Sequence, residues 1–371
     1  MNPDRVMKTG TSEIGTEARK SSGGVMTAAV LYGREDLRVE RLGIPQIGEG
    51  EVLMRVQVAL TCGTDLKVWK QGSHPRMIRP PAIFGHELAG VVEEIGPRVN
   101  GAIRPGMRAV PSNSAPCGAC LYCRKGQPNL CEDLLFNNGA YAEYARIPAR
   151  IVEKNLLEIP EGVSCRDAAM VEPLACVLRG IHETEIRPGD TAVIVGCGPI
   201  GLQFVRALSA KEVRVIALGK RKSQVDAAER LGAYAAFNVS TIDTPVAMIR
   251  ELTEGGRGAD AVIEAVGSAT TWQWAMQMVR RGGRVNLFGG CPQGSQVQFD
   301  PALLHYSEVS IKATFHHTPQ FIREALDTIA RGSVRSSDFI TGEVSLGELP
   351  RVFQSMKNGH SDLKIAVNPW A

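Results

Sequence analysis

The apolar residues of this chain change their rhythm twice. From about residue 26 to 165 they come in short runs, among them Thr27–Tyr32, EVLMRVQVAL, ELAGVVEEIG and AYAEYARIP, each punctuated by Gly or Pro. Such spacing predicts the strands of an all-β barrel or sandwich. Further on, continuous apolar runs at Thr191–Val195, Val213–Leu218, Ala261–Val266 and Arg284–Phe288 alternate with stretches that read as helix, Pro199–Ala210 and Ser223–Leu231. Strand and helix alternating at this spacing predict a parallel, doubly wound α/β sheet. From about 312 the texture is irregular again, with helices expected near Pro319–Ala330 and Leu349–Met356. Residues 1–25 are polar, rich in Ser, Thr and Gly, and carry no sustained period. They are read as a disordered extension, with the folded part beginning at Met26.

Length adds two or three domains to this picture, since the chain has 371 residues. A hydrophobic share of 44% is enough to bury sizeable cores. Lys+Arg is 42 and Asp+Glu is 39, a net charge of +3. That balance speaks against a nucleic-acid binder and against a polybasic membrane protein. No apolar run is long enough to cross a bilayer and no signal peptide is evident, so the cytoplasm is the expected compartment. Nine cysteines are many for a reduced protein. Their clustering points to metal rather than disulfides.

Cys117, Cys120, Cys123 and Cys131 lie in CGACLYCRKGQPNLC, 15 residues in all. Four thiolates at that spacing can close one tetrahedral Zn²⁺ site and leave no position for substrate. An iron–sulfur centre and four unrelated buried cysteines are the other readings. A second candidate set is Cys62 in LTCGTDLKVW, His86 and Glu87 in FGHELAG, and Glu172 in MVEPLAC. Sulfur, imidazole and carboxylate together suit a catalytic Zn²⁺, which needs three protein ligands and one open position. Singly, each has a plainer role: Cys62 as a small buried hydrophobe, His86 as a hydrogen-bonded structural residue, and Glu172–Pro173 as a helix lead-in.

Gly196, Gly198 and Gly201 form G-C-G-P-I-G, with Pro199 and Ile200 inside it, after the run 191–195 and before a helix. This is the strand–turn–helix setting of a Rossmann dinucleotide loop, with the helix N-terminus facing phosphates. An acidic residue is expected about 20 residues on, to bind the ribose hydroxyls of NAD. The corresponding stretch instead reads Gly219, Lys220, Arg221, Lys222. A glycine leaving room and Arg221 able to fork onto a phosphate predict NADP(H) over NAD(H). A merely solvated basic helix start is the other reading, above all for Lys220 and Lys222.

GHELAGVVEEIGPRV, CGTD, the four-cysteine segment, VEPLA and VIVGCGPIGL together resemble the zinc-dependent medium-chain alcohol dehydrogenases, in their sorbitol (L-iditol) and threonine dehydrogenase branch. The resemblance runs in order through residues 26–371. It implies a GroES-like β-barrel catalytic domain over 26–172, with a structural zinc lobe at 113–135, then a Rossmann domain over 173–311. Residues 312–371 would return to the first domain. It implies two zincs per chain. One would be catalytic, on Cys62, His86 and Glu172, with Glu87 behind them or exchanging. The other would be structural, on the four cysteines. The implied reaction moves a hydride between a secondary alcohol, a polyol or sugar alcohol, and the nicotinamide, and its substrate is a small alcohol or ketone. Thr64 would take the hydroxyl proton. The relay of relatives often ends on a His where Lys67 stands here, and Lys67 would need a depressed pKa to replace it. Asp65 is expected to orient its loop. Arg179 replaces a frequent His, and Arg108, where relatives often have Asp, is read as structural. The alternatives are an L-threonine or simple alcohol dehydrogenase, a non-catalytic dinucleotide binder, and a DNA-binding zinc protein. A zinc-free quinone reductase would not need Cys62 with His86 and Glu87. The resemblance also implies a homotetramer or homodimer, with the segment 282–310, including GGRVNLFGG, providing an edge strand for a shared sheet.

Overall fold

The structure is a computed structural model describing residues 24–359 and 363–371. The extension expected over 1–25 lies outside these residues except for Gly24 and Val25, and Val25 already opens the strand Val25–Gly33. The chain divides into two compact units. One runs to Glu172 and takes in Thr318–Ala330 and Arg335–Ala371. The other is Pro173–His317 with Arg331–Val334.

The first unit is built around Val52–Leu60, whose VLMRVQVAL pattern buries seven of its nine residues. A run apolar on both faces belongs in the middle of a sheet. One edge of this strand pairs antiparallel with Glu87–Ile95, Leu60 opposite Glu87. Its other edge is shared: Tyr144–Ile147 takes residues 52–55, and the C-terminal strand Lys364–Asn368 takes Ala59 and Leu60. This register sets position 60 between Glu87 and the start of the last strand. A smaller sheet orders Asp36–Gly43, Val25–Gly33 and Ala82–Ile83.

The region is not purely β. Gly63–Gln71, Ala149–Asn155 and Cys165–Ala168 are helices. They are too short for a helical period to stand out from the flanking strand runs. Gly63–Gln71 buries Asp65, Val68 and Trp69. The Trp69 and Phe84 rings both lie 5.7 Å from Phe353, and Phe84 meets Tyr141 edge-on at 5.9 Å. This aromatic cluster fixes the helix and the Phe84–Glu87 segment against one core.

The second unit holds a six-stranded, all-parallel sheet. Its order is Ala235–Asn238, Arg214–Gly219, Thr191–Val195, Ala259–Glu264, Val279–Leu287, Ser310–Ala313. That is the 3-2-1-4-5-6 order of the dinucleotide-binding doubly wound fold. The apolar run at 284–288 proves to be the end of the longer strand Val279–Leu287, paired on one side with Ala259–Glu264 and on the other with Ser310–Ala313. GGRVNLFGG is therefore not an edge. Val285 and Leu287 are buried between two ladders, and the edge on that side of the sheet is Ser310–Ala313, exposed at all four residues.

Candidate active site

Cys62, His86 and Glu87 bring a thiol sulfur, an imidazole nitrogen and a carboxylate oxygen within 4.8 Å of one another. Each stands at the end of an element. Cys62 caps the helix Gly63–Gln71 and accepts the Thr64 N–H at 3.4 Å. Glu87 opens its strand. His86 precedes it, after Gly85, whose φ is +84° and whose added Cβ would lie 2.7 Å from the Tyr141 ring. Only glycine permits that turn and that approach.

Asp65 orients more than its loop. Its Oδ1 lies 2.8 Å from His86 Nδ1, and Tyr141 donates its hydroxyl to Oδ2 at 2.6 Å. A carboxylate can only accept, so Nδ1 is the nitrogen that donates to Asp65, which leaves Nε2 as the nitrogen a cation would use. Burial, reinforced by the Asp65 charge, pushes Tyr141 well above its ordinary pKa and keeps it a donor. Glu87 is 1% exposed. Lys364 holds its Oε2, while Oε1 has no hydrogen-bond partner among the described residues. A buried carboxylate oxygen left in this state beside a thiol and an imidazole fits an oxygen ligand of a divalent cation. Burial opposes the charge of Lys364, but Glu87 and Cys62 outweigh it and hold the pKa above the ordinary value.

Glu172 is near the start of the helix Val171–Thr184, and Asn113 donates to its Oε1 at 3.0 Å. It does not belong to the 4.8 Å triplet. Burial pushes its carboxyl up to about 7, and the charges of His86, Glu87, Lys364 and Asp65 all act on it. Thr64 is half-buried, two residues from Cys62, and Lys67 is exposed. Arg179 is buried and donates to the Phe315 and His316 carbonyls at 2.6 and 3.0 Å, fastening that segment within the second unit. Arg108 donates to the Val163 carbonyl, in keeping with a structural role. Lys364, Tyr141 and Asn113 escaped the sequence reading. The one signal for Lys364 was a lone charge inside the apolar stretch LKIAV.

The four cysteines of the lobe also converge within 4.8 Å. Cys120 Sγ is 3.6 Å from Cys123 Sγ and 3.9 Å from Cys131 Sγ, and Cys117 Sγ is 4.0 Å from Cys123 Sγ. A tetrahedron with Zn–S bonds of about 2.3 Å has edges of about 3.8 Å, so the set fits a closed tetrahedral cation. The separations are about twice a disulfide bond. The N–H groups of Ala119 and Cys120 point at Cys117 Sγ, and that of Cys117 at Cys131 Sγ, an arrangement that would suit metal-bound thiolates.

In the second unit each loop glycine has a distinct reason. Gly196 has φ +106°. A Cβ on Gly201 would come 1.7 Å from the Gly196 carbonyl oxygen. A Cβ on Gly198 would meet nothing within 4 Å, leaving this backbone open to approach. Gly198 caps the helix Pro199–Ser209, with Pro199 in its first turn and Ile200 half-buried behind it. At the next strand tip, Gly219 does not leave room. It is buried, and a Cβ there would lie 3.3 Å from both Cys197 Cβ and Gln224 Cβ. Lys222 is paired with Asp226 at 2.8 Å, and Lys220 is exposed. Arg221, at the N-cap of Lys222–Arg230, is half-buried.

The two donor clusters suit metal ions and the glycine loop suits a dinucleotide, the outfit of an oxidoreductase, and known proteins agree with that class. Residues 48–161 match the family described as alcohol dehydrogenase GroES-like domain, and 199–331 match zinc-binding dehydrogenase. The chain is 31% identical over 361 residues to an erythritol/L-threitol dehydrogenase of Mycolicibacterium smegmatis, covering 93% of this chain and 98% of that one. It is 28% identical over 352 residues to a sorbitol dehydrogenase of Bacillus subtilis, covering 93% and 97%. A solved zinc-binding dehydrogenase of Sinorhizobium meliloti, bound to NADP, superposes with a TM-score of 0.84 at 31% identity, covering 93% and 100%. The chain belongs to the zinc-dependent medium-chain alcohol dehydrogenase family, on its sorbitol dehydrogenase-like side. It is an alcohol or polyol oxidoreductase. No helix among the described residues is long and apolar enough to cross a membrane.

Proposed function

We propose that this protein is a zinc- and NADP(H)-dependent dehydrogenase of polyols or sugar alcohols, with one catalytic and one structural zinc per chain. The observation that carries the reading is the open donor set of Cys62, His86 and Glu87, in a chain whose relatives include erythritol/L-threitol and sorbitol dehydrogenases. Cys62, His86 and a glutamate, Glu87 or Glu172, would hold the catalytic zinc. Cys117, Cys120, Cys123 and Cys131 would hold the other. Zinc at the first place supplies Lewis acidity that lowers the pKa of an alcohol hydroxyl.

The chain's own residues do the rest. Asp65 and Tyr141 keep the proton on His86 Nδ1, so Nε2 remains a ligand. Thr64 Oγ1 accepts the substrate proton. With Lys67 exposed, that proton leaves through water rather than through an amine. The Gly196–Gly201 loop would hold a pyrophosphate against Gly198, and the nicotinamide so bound would supply the hydride acceptor or donor. Absence of an acid at Gly219–Lys222, with Arg221 at a helix N-cap, supports NADP(H). The NADP-bound relative supports the same choice. The protein is expected to work as a homodimer or homotetramer in the cytoplasm, without nucleic-acid or membrane partners. Ser310–Ala313 offers an exposed sheet edge.

Absorbance at 340 nm, with zinc-replete protein and NADP⁺ and NAD⁺ run in parallel against polyols, sugars, threonine and simple secondary alcohols, tests this. Polyol turnover with NADP⁺ well above NAD⁺ is expected. Arg221→Ala should then raise the KM for NADP⁺ about tenfold, for a loss of about 1.4 kcal/mol, and leave NAD⁺ unchanged. A preference for NAD⁺ contradicts the cofactor reading, and turnover of threonine alone contradicts the substrate reading.

A further inference from the structure

One strong group in the buried cluster has no part in the proposed chemistry. Lys364 is 2% exposed, and its ammonium donates to the Thr61 carbonyl at 2.8 Å and to Glu87 Oε2. Burying an amine is costly unless it is paired. Its place follows from the fold: Lys364 opens the C-terminal strand, which joins Val52–Leu60 at the end where Leu60 faces Glu87. Thr61 closes the joint, exchanging hydrogen bonds with Ile365 through its N–H at 3.0 Å and its hydroxyl at 2.9 Å. The lysine is thus locked in place by backbone pairing. It takes one oxygen of Glu87, and the other, Oε1, is buried without a partner among the described residues. A Glu87 carboxylate oxygen lies within 4.8 Å of the Cys62 sulfur and a His86 nitrogen.

We infer that Lys364 is a positioning residue for the metal: by engaging Oε2 it turns Glu87 Oε1 toward Cys62 and His86, and its charge offsets the anionic donor set. The inference rests on the zinc reading above. Once Cys62 is a thiolate, Cys62, Asp65 and Glu87 are three negative groups, and Glu172, whose carboxyl burial pushes up to about 7, adds to them only in part. A divalent cation with Lys364 balances the first three, and without Lys364 a buried negative charge is left unmatched. A lysine that only glued two strands together would add to stability and leave metal binding alone.

The experiment compares intact protein with Lys364→Met, Lys364→Arg, Glu87→Gln and the double variant Lys364→Met/Glu87→Gln. Three quantities are read: zinc affinity of the second site by competition with a chromogenic chelator, visible bands of the cobalt-substituted protein, and melting temperature. Intact protein should bind two metals per chain. Lys364→Met should weaken the second by roughly 10–100-fold and shift the cobalt bands. It should add little in the Glu87→Gln background, because its effect runs through that carboxylate. Should Lys364→Met not fold, Lys364→Arg keeps the charge on a different head group; it should hold affinity within about threefold but still shift the bands. A lower melting temperature with unchanged affinity and bands overturns the inference, as does tighter zinc binding in Lys364→Met. Intact protein with a single metal, at the lobe, overturns the zinc reading itself and the inference with it.

Discussion

The two cysteine-bearing clusters of the first unit are assembled in opposite ways. In the lobe, four sulfurs come from 15 consecutive residues, and three of the four are only half-buried. Their donors are all alike, and backbone N–H groups turn inward to support them. All four donors come from the lobe itself, and four equal ligands would leave no position for a substrate. In the other cluster, residues 62, 65, 86, 87, 141, 172 and 364 converge from distant parts of the chain, among them the helices Gly63–Gln71 and Val171–Thr184 and the strands Glu87–Ile95 and Lys364–Asn368. The donors are mixed and every carboxylate and imidazole is buried. Each donor is held by a partner: His86 by Asp65, Asp65 by Tyr141, Glu87 by Lys364, Glu172 by Asn113. A closed, local site stabilises a loop. A catalytic metal at the buried cluster, as proposed above, would need such a network, because its ligand geometry would have to survive an exchangeable fourth position.

The sharpest way to break this comparison is to remove one cysteine from each cluster. Cys62→Ser should lower kcat/KM by about 10³-fold through the loss of several kcal/mol of Lewis-acid assistance. Its melting temperature with metal removed should stay within about 2 °C of the intact protein treated alike. Cys131→Ser should do the reverse: a loss of about 3 kcal/mol lowers the melting temperature by about 6–12 °C, with kcat per folded molecule within about twofold. If both variants lose activity and stability alike, the division of labour is wrong. Asp65→Asn sharpens the comparison, because the lobe has no equivalent. Metal affinity of the buried site and kcat/KM should fall together by about 10–100-fold, read by chelator competition and steady-state kinetics. The smallest effect is expected for Tyr141→Phe, which deletes the hydroxyl donated to Asp65. It should cost about 1.5–3 kcal/mol in denaturant unfolding and less than about tenfold in kcat/KM. An effect larger than that of Asp65→Asn would mean that Tyr141 acts other than through Asp65.

Legibility follows the same division. The lobe is readable because cysteine spacing alone defines it. The doubly wound sheet is readable because strands buried on both faces become unbroken apolar runs, and because Gly196 and Gly201 answer to local contacts. The edge at Ser310–Ala313 was misassigned to GGRVNLFGG because an exposed strand leaves little apolar trace. Room at Gly219 was misjudged because its crowding comes from Cys197 and Gln224, packed across the turn. Gly63–Gln71 escaped notice as a nine-residue helix among strands. In the buried cluster, the residues in short recognisable motifs, Cys62, His86, Glu87 and Glu172, could be named. Lys364 and Tyr141 could not, since strand register and core packing across long stretches of chain bring them there.

X-ray anomalous scattering at the zinc absorption edge, from crystals of the protein as purified, tests the central claim most directly. Two peaks per chain are expected, one amid Cys117, Cys120, Cys123 and Cys131 and one bounded by Cys62, His86 and a glutamate oxygen. A lone peak at the lobe, or a second peak away from Cys62 and His86, would contradict it.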